Sequence, residues 1–282
     1  VMAMSSGNTN VAFSGKEWTG QTSGGVQNVD VFAVNREKAS SFATSSVIYD
    51  SITKAKTGAR EFKKDASSYV QFLTGAAQAD WSLNVFASET AAGAELTSFH
   101  TEGFTPAAPG WQHGLQLPAS WVHYGFDASI YTNTTVPWQS GRRDNAFAPQ
   151  IPVEATPVGL YRKSFTVSEG LKSANGRIYL NLQGVEAAYY VYLNGKAVGY
   201  SEDSYSPHSF DVTDFLKMDG ANQLAVKVYK FCDGTWFELQ DMFKDGGIFR
   251  DVYLYAAPAV HLEDYQVETA LDATYTNATL KL

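Results

Sequence analysis

The stretch AYYVYLNGKAVGYS, residues 188–201, decides the fold class of this chain. Its first half alternates as expected for a strand with one buried face. Asn194 and Gly195 then form a strong hairpin signal, because both central positions of the tightest hairpin turn need a positive φ. The stretch therefore predicts two antiparallel strands joined by a tight turn.

Similar short segments surround this hairpin and extend the prediction to the whole chain. Each is rich in β-branched and aromatic residues and is bounded by turn formers. The segments are residues 69–73, 81–86, 159–167, 177–182, 223–229 and 249–255, whereas residues 87–98 have a weak helical pattern. Short strands separated by turns predict an all-β fold, a jelly-roll-like β-sandwich.

Composition divides the chain into three parts. Residues 1–30 are rich in Ser, Gly, Asn and Thr and predict an irregular lead-in. Residues 31–257 would form the sandwich, in which the proline-punctuated residues 106–121 are expected to be an ordered coil pinned by Trp111 and Trp121. Residues 258–282 look like the first strands of a second domain that they do not complete, which predicts a fragment of a longer protein.

Charge and cysteine content exclude several classes of partner. The formal charge of −8 comes without any basic cluster, so nucleic acids and anionic membranes are poor partners. Membrane insertion is not expected, because no apolar run approaches the roughly 20 residues that cross a bilayer. Cys232 is the only cysteine, so no disulfide can form within the chain. The small residues of the first six positions favour an extracellular or cell-surface location over the cytoplasm.

Two adjacent carboxylates, Glu202 and Asp203, follow the second strand of the hairpin. A pair of carboxylates can hydrolyse a glycosidic bond. Neighbours on an extended chain point to different sides, however, which favours two solvated loop acids over a catalytic pair. A second group of charges, within residues 233–252, is predicted to form structural Arg–carboxylate pairs. The five histidines have no metal-ligand spacing.

Several motifs resemble the sugar-binding domain of glycoside hydrolase family 2 β-galactosidases. The similar segments occur in the same order and spacing as in that family, and residues 1–110 match only loosely. They are residues 117–121, 130–137, 189–211, 214–216, 222–226 and 233–252. The resemblance implies a galactose-binding-domain-like sandwich followed by an immunoglobulin-like domain.

The resemblance also assigns roles to two residues. Asp203, in the Tyr-Ser-Glu-Asp-Ser motif, matches an Asp that lies at the galactose subsite and helps to hold a monovalent cation, usually Na⁺. Asn133, in the Tyr-Thr-Asn motif, matches an Asn that hydrogen-bonds the sugar. A carboxylate and an amide suit these roles chemically. Glu202 is expected to be a solvated acid in a loop, without a role in ligand binding.

As a member of such a family, the intact protein would be a retaining hydrolase of terminal β-D-galactosides such as lactose. Its two catalytic Glu residues would lie in a downstream (β/α)₈ barrel, so this fragment would be inactive alone. Na⁺ and Mg²⁺ would serve the intact enzyme, with only the Na⁺ site involving this fragment, and a homo-oligomer is an open expectation. The alternatives are a free-standing carbohydrate-binding module, or the amino-terminal domain of a β-glucuronidase or β-mannosidase.

Overall fold

The computed structural model describes residues 69–106, 109–133, 135–139, 148–260 and 266–281, together with the backbone of five strands before residue 50. Those first strands are β1 (Asn10–Ser14), β2 (Glu17–Thr22), β3 (Gly25–Asp30), β4 (Ala33–Val34) and β5 (Ile48–Tyr49). The first three form an antiparallel sheet in the order β1-β2-β3. Residues 10–30 are therefore largely in strands, unlike the irregular lead-in that their composition predicts. The predicted domain boundaries stay predictions.

Strands dominate the rest of the chain. They are β6 (Val70–Phe72), β7 (Trp81–Phe86), β8 (Gln112–Leu115), β9 (Ile130–Thr132), β10 (Val158–Thr166), β11 (Gly176–Leu182), β12 (Val185–Glu186), β13 (Ala188–Leu193), β14 (Lys196–Ser201), β15 (His208–Asp211), β16 (Ala221–Tyr229), β17 (Met242–Lys244), β18 (Gly247–Ile248), β19 (Val252–Pro258), β20 (Glu268–Leu271) and β21 (Ala278–Lys281).

Helices are short. The α-helices are α1 (Glu89–Ala92), α2 (Glu95–Ser98) and α3 (Glu169–Ser173), and α1 and α2 lie where the sequence has its weak helical pattern. The 3₁₀ turns are Ala76–Gln78, Val122–Tyr124, Pro137–Gln139, Val153–Ala155, Thr213–Phe215 and Asp233–Trp236. Within the ranges given above, no helix is long and apolar enough to span a membrane.

Two antiparallel sheets form the body of the fold. One has six strands in the order β14-β13-β16-β10-β7-β8, and the other has four in the order β15-β11-β19-β6. Alternate side chains of both sheets share one core, which includes Leu83 and Tyr161 of the first sheet and Leu180 and Leu254 of the second. The all-β sandwich is therefore confirmed, and it follows from the two-residue period of the strands.

The predicted hairpin is β13–β14. Its turn residues Asn194 and Gly195 have φ values of 53° and 80°, as the Asn-Gly signal requires. The side-chain amide of Asn194 also connects the turn to neighbouring segments. It donates hydrogen bonds to the Asn222 side chain at 2.8 Å and to the Phe215 carbonyl at 2.9 Å.

Residues 106–121 differ in part from the predicted coil. Trp111 and Trp121 are buried, as expected. Between them, however, β8 pairs with β7 at the edge of the six-stranded sheet. An edge position allows a strand in this segment, because the flanking prolines fall outside the ladder.

The last described segment, residues 266–281, contains the two-stranded sheet of β20 and β21. Every residue of these two strands is exposed. Strands were predicted here, and the assignment to an immunoglobulin-like domain remains a prediction.

Candidate functional site

Asp203 lies just beyond β14 on a tight turn. Its φ of 76° is in the left-handed region, which Asp tolerates better than most residues. The side chain is exposed, and its Oδ1 accepts a hydrogen bond from the Tyr205 amide at 3.3 Å. A hydrogen bond from the Ser206 side chain, with further ones from the amides of Tyr205 and Ser206, lowers the pKa of Asp203. The turn therefore presents an ionised, solvent-facing carboxylate at neutral pH.

Glu202 has different neighbours from Asp203. Its side chain is half-buried and hydrogen-bonds the Tyr200 hydroxyl; burial, followed by this bond, raises the pKa of Tyr200. The ligand atoms of Glu202, Cys232 and Asp233 lie within 4.8 Å of one another. Burial raises the pKa of Cys232 to about 11, so its thiol is protonated at neutral pH. Glu202 and Asp203 thus have different hydrogen-bond partners, and that they are not a catalytic acid pair stays a prediction.

Asn133 follows β9 directly and is exposed. It hydrogen-bonds the neighbouring Tyr131, whose hydroxyl donates to Asp241 Oδ1. The Asp241 hydrogen bond is the main reason that the pKa of Tyr131 is raised. These contacts hold the end of β9, and Asn133 is exposed directly after it.

Strand β17 connects the neighbourhoods of Asn133 and Asp203. Its Met242 is paired with Thr132 in the β9–β17 ladder, one residue before Asn133. The Met242 sulfur also accepts a hydrogen bond from the Tyr205 hydroxyl at 2.8 Å, two residues after Asp203. Both predicted site residues therefore lie on segments that contact the same strand residue.

The charges of residues 233–252 hold these loops, but not by the predicted Arg–carboxylate pairing. Arg250 donates to the Tyr205 carbonyl at 2.6 Å and lies over the rings of Tyr205 and Phe249. Glu238 accepts hydrogen bonds from the amide and hydroxyl of Ser204, at 2.9 and 2.7 Å. Over the described ranges, neither Arg250 nor Glu238 forms an ion pair, and both instead hydrogen-bond Ser204 and Tyr205 of the Asp203 loop. The predicted structural role holds, with a different set of partners.

Exposed aromatic rings and a cavity complete this side of the molecule. The rings of Tyr131 and Phe243 lie 5.7 Å apart, and both are more than half exposed. A cavity of about 300 Å³ opens beside them, with Tyr205, Met242 and Phe243 among its lining residues. Rings next to hydrogen-bonding groups can stack on the C–H faces of sugars. The arrangement can therefore bind a polar ligand that also has apolar faces.

Comparison with known proteins decides the family. The model of the sugar binding domain of glycosyl hydrolases family 2 matches residues 81–258. The chain belongs to this family.

Two bacterial β-galactosidases are similar to most of this glycosyl hydrolase family 2 chain. The β-galactosidase of Priestia megaterium is 36% identical over 255 residues, covering 90% of this chain and 22% of the relative. The β-galactosidase of Clostridium acetobutylicum is 35% identical over 255 residues, covering 90% of this chain and 26% of the relative. The chain thus spans about a quarter of the length of these relatives. The alignments also reach well into the first 110 residues, which were expected to match only loosely.

A solved family structure gives a weaker match. The β-glucuronidase 2 of Bacteroides uniformis, bound covalently to cyclophellitol-6-carboxylate aziridine, is 26% identical, with a TM-score of 0.43. The match covers 67% of this chain and 18% of that one.

Several contacts of this family 2 site are not visible in the sequence. The Tyr131–Asp241 and Tyr205–Met242 contacts join residues about 110 and 37 positions apart, which no local pattern reveals. The burial of Glu186 could have been predicted from the sequence, because Glu186 is a charged residue inside the apolar run of residues 185–193. A buried charge in such a run requires a partner.

Proposed function

We propose that this chain is the amino-terminal part of a retaining β-galactosidase that hydrolyses terminal non-reducing β-D-galactose residues of lactose-type substrates. The observation that carries the proposal is the match of 90% of the chain to curated β-galactosidases at 35–36% identity. The acidic surface and the exposed rings near Asn133 suit a neutral, polyhydroxylated substrate.

In this proposal Asp203 and Asn133 contribute to the galactose subsite. Asp203 accepts hydrogen bonds from sugar hydroxyls, and its lowered pKa keeps it in the accepting form at neutral pH. The Asn133 side chain can both donate and accept, and the β9–β17 contacts hold its main chain in place. The barrel domain further along the polypeptide is the partner that supplies the two catalytic Glu residues, so the 282 residues alone do not hydrolyse substrate.

Asp203 is also the proposed ligand of a monovalent cation. Its donor chemistry fits Na⁺, because it is an exposed, ionised carboxylate and a hard oxygen ligand. A cation held there would supply positive charge to orient sugar hydroxyls. The Mg²⁺ of the intact enzyme, a homo-oligomeric state and an extracellular or cell-surface location are part of the same proposal and rest on the family alone.

The test uses the full polypeptide encoded by the gene that carries this chain. Chromogenic β-galactoside, β-glucuronide and β-mannoside are offered in turn, and hydrolysis of the β-galactoside is expected to dominate. Asp203→Asn should lower kcat/KM by about 100-fold, or about 2.7 kcal/mol, and should weaken the response of the rate to added Na⁺. Glu202→Gln is the matched control, since it changes the adjacent acid, and its kcat/KM should stay within about threefold.

Two results would overturn the proposal. Preference for the β-glucuronide or β-mannoside would move the protein to another activity of the family. Clear turnover of the β-galactoside by the 282-residue chain alone would show that its catalytic groups lie within these residues.

A further inference from the structure

Ser204, the residue after Asp203, gives both of its polar hydrogens to one side chain. Ser204 is fully buried, so these hydrogens need acceptors inside the protein. Glu238 provides both acceptors. Its Oε1 accepts the hydrogen bond of the Ser204 amide at 2.9 Å, and its Oε2 accepts that of the Ser204 hydroxyl at 2.7 Å. Each oxygen of the Glu238 carboxylate therefore holds one group of Ser204.

The hydrogen bond from the Ser204 amide acts directly on the backbone of Asp203. This amide belongs to the peptide unit that contains the Asp203 carbonyl, so holding it in place also sets the ψ angle of Asp203. The φ of Asp203 is 76°, in a region that residues other than Gly seldom adopt. Such a conformation persists where surrounding contacts determine it. Glu238 makes one of these contacts at the peptide bond next to Asp203.

The side chain of Asp203 takes its direction from the same loop. Its Oδ1 accepts a hydrogen bond from the Tyr205 amide at 3.3 Å, and the Ser206 side chain donates to the carboxylate as well. Arg250 holds the far end of this stretch by donating to the Tyr205 carbonyl at 2.6 Å. A shift of Ser204 would therefore move the donors that orient the Asp203 carboxylate.

Glu238 itself lies on an anchored segment. It follows the 3₁₀ turn Asp233–Trp236, and its amide donates to the Gly234 carbonyl at 3.1 Å. The ring of Trp236 packs edge-on against the buried Trp138, with 5.5 Å between the ring centroids. The side chain that holds the loop is thus fixed to the body of the fold.

We propose that Glu238 is a positioning residue for Asp203, which fixes residues 203–206 so that the Asp203 carboxylate meets the sugar in one direction. The inference rests on the proposed role of Asp203 in the galactose subsite and adds a residue that acts through Asp203. Glu238 contributes contact rather than charge, because both of its oxygens are engaged by Ser204.

Two substitutions in the full polypeptide separate contact from charge. Glu238→Asp keeps the charge but is one methylene group too short to reach Ser204. Its kcat/KM for a chromogenic β-galactoside should fall about tenfold, since misplacing a binding group by about 1 Å can cost as much as about 100-fold. Glu238→Gln removes the charge but keeps an oxygen for the amide and a nitrogen that can donate to the hydroxyl of Ser204. Its kcat/KM should stay within about threefold of the natural value.

Glu154→Asp is the matched control. Glu154 also accepts hydrogen bonds at both carboxylate oxygens, from the hydroxyls of Ser88 and Thr90, but its side chain is exposed. The same shortening by one methylene group should leave its kcat/KM within about threefold of the natural value.

A double-substitution cycle tests whether Glu238 acts through Asp203. Asp203→Ala removes the carboxylate that Glu238 is proposed to orient. In that background Glu238→Asp should lower kcat/KM by less than about threefold, because the effects of residues that act as one unit are not additive. A residue that only supports the fold would give the same tenfold loss in both backgrounds.

The results that overturn the positioning role differ from failure of the proposed function. A natural polypeptide that does not cleave the β-galactoside contradicts the proposed function and this inference with it. Where the natural polypeptide cleaves it and Asp203→Ala is impaired, three results overturn the positioning role alone. These are full activity of Glu238→Asp, an equal loss in Glu238→Gln, and an undiminished loss for Glu238→Asp beside Asp203→Ala.

If Glu238→Asp does not fold, Ser204→Ala takes its place in the cycle. It removes the hydroxyl hydrogen bond and leaves the Glu238 carboxylate intact. Its kcat/KM should fall at least about threefold, and this loss should disappear beside Asp203→Ala. A loss that persists there, or no loss at all, would overturn the proposal.

Discussion

The sandwich core and the site flank are held together in different ways. The site flank is defined here as β9, β12, β17, β18 and residues 202–206. The core buries long, alternating strands with aliphatic and aromatic side chains. The strand pairs of the flank are two or three residues long, and its buried groups include the charged Glu186 and Lys244. The core thus owes its stability mainly to apolar area, whereas the flank contributes Val185 and Ile248 to that core and adds individual polar contacts.

Trp121 joins the two regions, and replacing it should have the largest effect on stability. Its ring is fully buried against Gly159 of the core and Gly247 of the flank, where an added Cβ would lie 2.5 and 2.9 Å from ring atoms. Its Nε1 donates to the Tyr161 hydroxyl at 2.7 Å. Trp121→Ala should lower the free energy of unfolding by about 3–5 kcal/mol, measured by urea denaturation.

Phe237→Ala is the control for this change, because Phe237 is also aromatic but is 84% exposed. Its effect should stay within about 0.5 kcal/mol. Equal losses in the two variants would mean that burial against both regions is not what makes Trp121 important.

The core could be predicted from the sequence because its information is local. Alternation in the hairpin of residues 188–201 and in β10 and β16 requires only neighbouring residues, and each strand forms where it was expected. Strand β8 was not predicted, because its local sequence does not indicate a strand. Its pairing with β7 is a long-range contact, and the prolines around it are typical of coil.

A second comparison is between a buried and an exposed ion pair, both outside the flank. Lys230 follows the core strand β16, its side chain is fully buried, and its Nζ lies 2.5 Å from Asp127 Oδ2. Asp127→Asn leaves this ammonium without its counter-charge. Since breaking a buried ion pair typically costs 3–5 kcal/mol and Asp127 is partly exposed, we expect a loss of about 3 kcal/mol in urea denaturation.

Asp219→Asn is the matched change at the surface. Asp219 pairs with Lys172 at 3.5 Å, and its side chain is 95% exposed. Surface ion pairs contribute little, so the loss should be below about 1 kcal/mol. If the two Asp→Asn variants were equally stable, burial would not be what makes the Lys230 contact important.

The flank could be predicted only in part. The roles of Asn133 and Asp203 come from family resemblance, because nothing in an exposed Asn or Asp distinguishes a sugar ligand from a solvated loop residue. Met242 links their segments through Thr132 and Tyr205, and the first of these contacts depends on the β9–β17 pairing, which joins segments more than 100 residues apart. Strand alternation predicted that Glu202 and Asp203 point to different sides, but Asp203 lies on a turn beyond β14 with a φ of 76°, so the turn and not a strand sets its direction.

The smallest expected effect concerns the protonation of Glu186 in the flank. Burial raises the pKa of Glu186 above its ordinary value of 4.5, while the amides of Gly246 and Asp245 and the charge of Lys244 act in the opposite direction. Between 4.5 and the raised pKa, the folded protein keeps a proton that the unfolded chain releases. The free energy of unfolding therefore falls as the pH rises through this interval, by about 1.4 kcal/mol for each unit by which the pKa is raised.

Glu186→Gln removes this titration and keeps an oxygen that can accept the two amide hydrogen bonds. Urea denaturation from about pH 4 to pH 8 should show that the natural protein loses stability relative to Glu186→Gln as the pH rises, with the difference becoming constant above the raised pKa. Glu169→Gln, a change at an 89% exposed side chain, should keep the pH dependence of the natural protein. Parallel curves for Glu186→Gln and the natural protein would mean that Glu186 has the same proton affinity folded and unfolded. The flank would then bury this carboxylate at no electrostatic cost, and its difference from the core would rest on geometry alone.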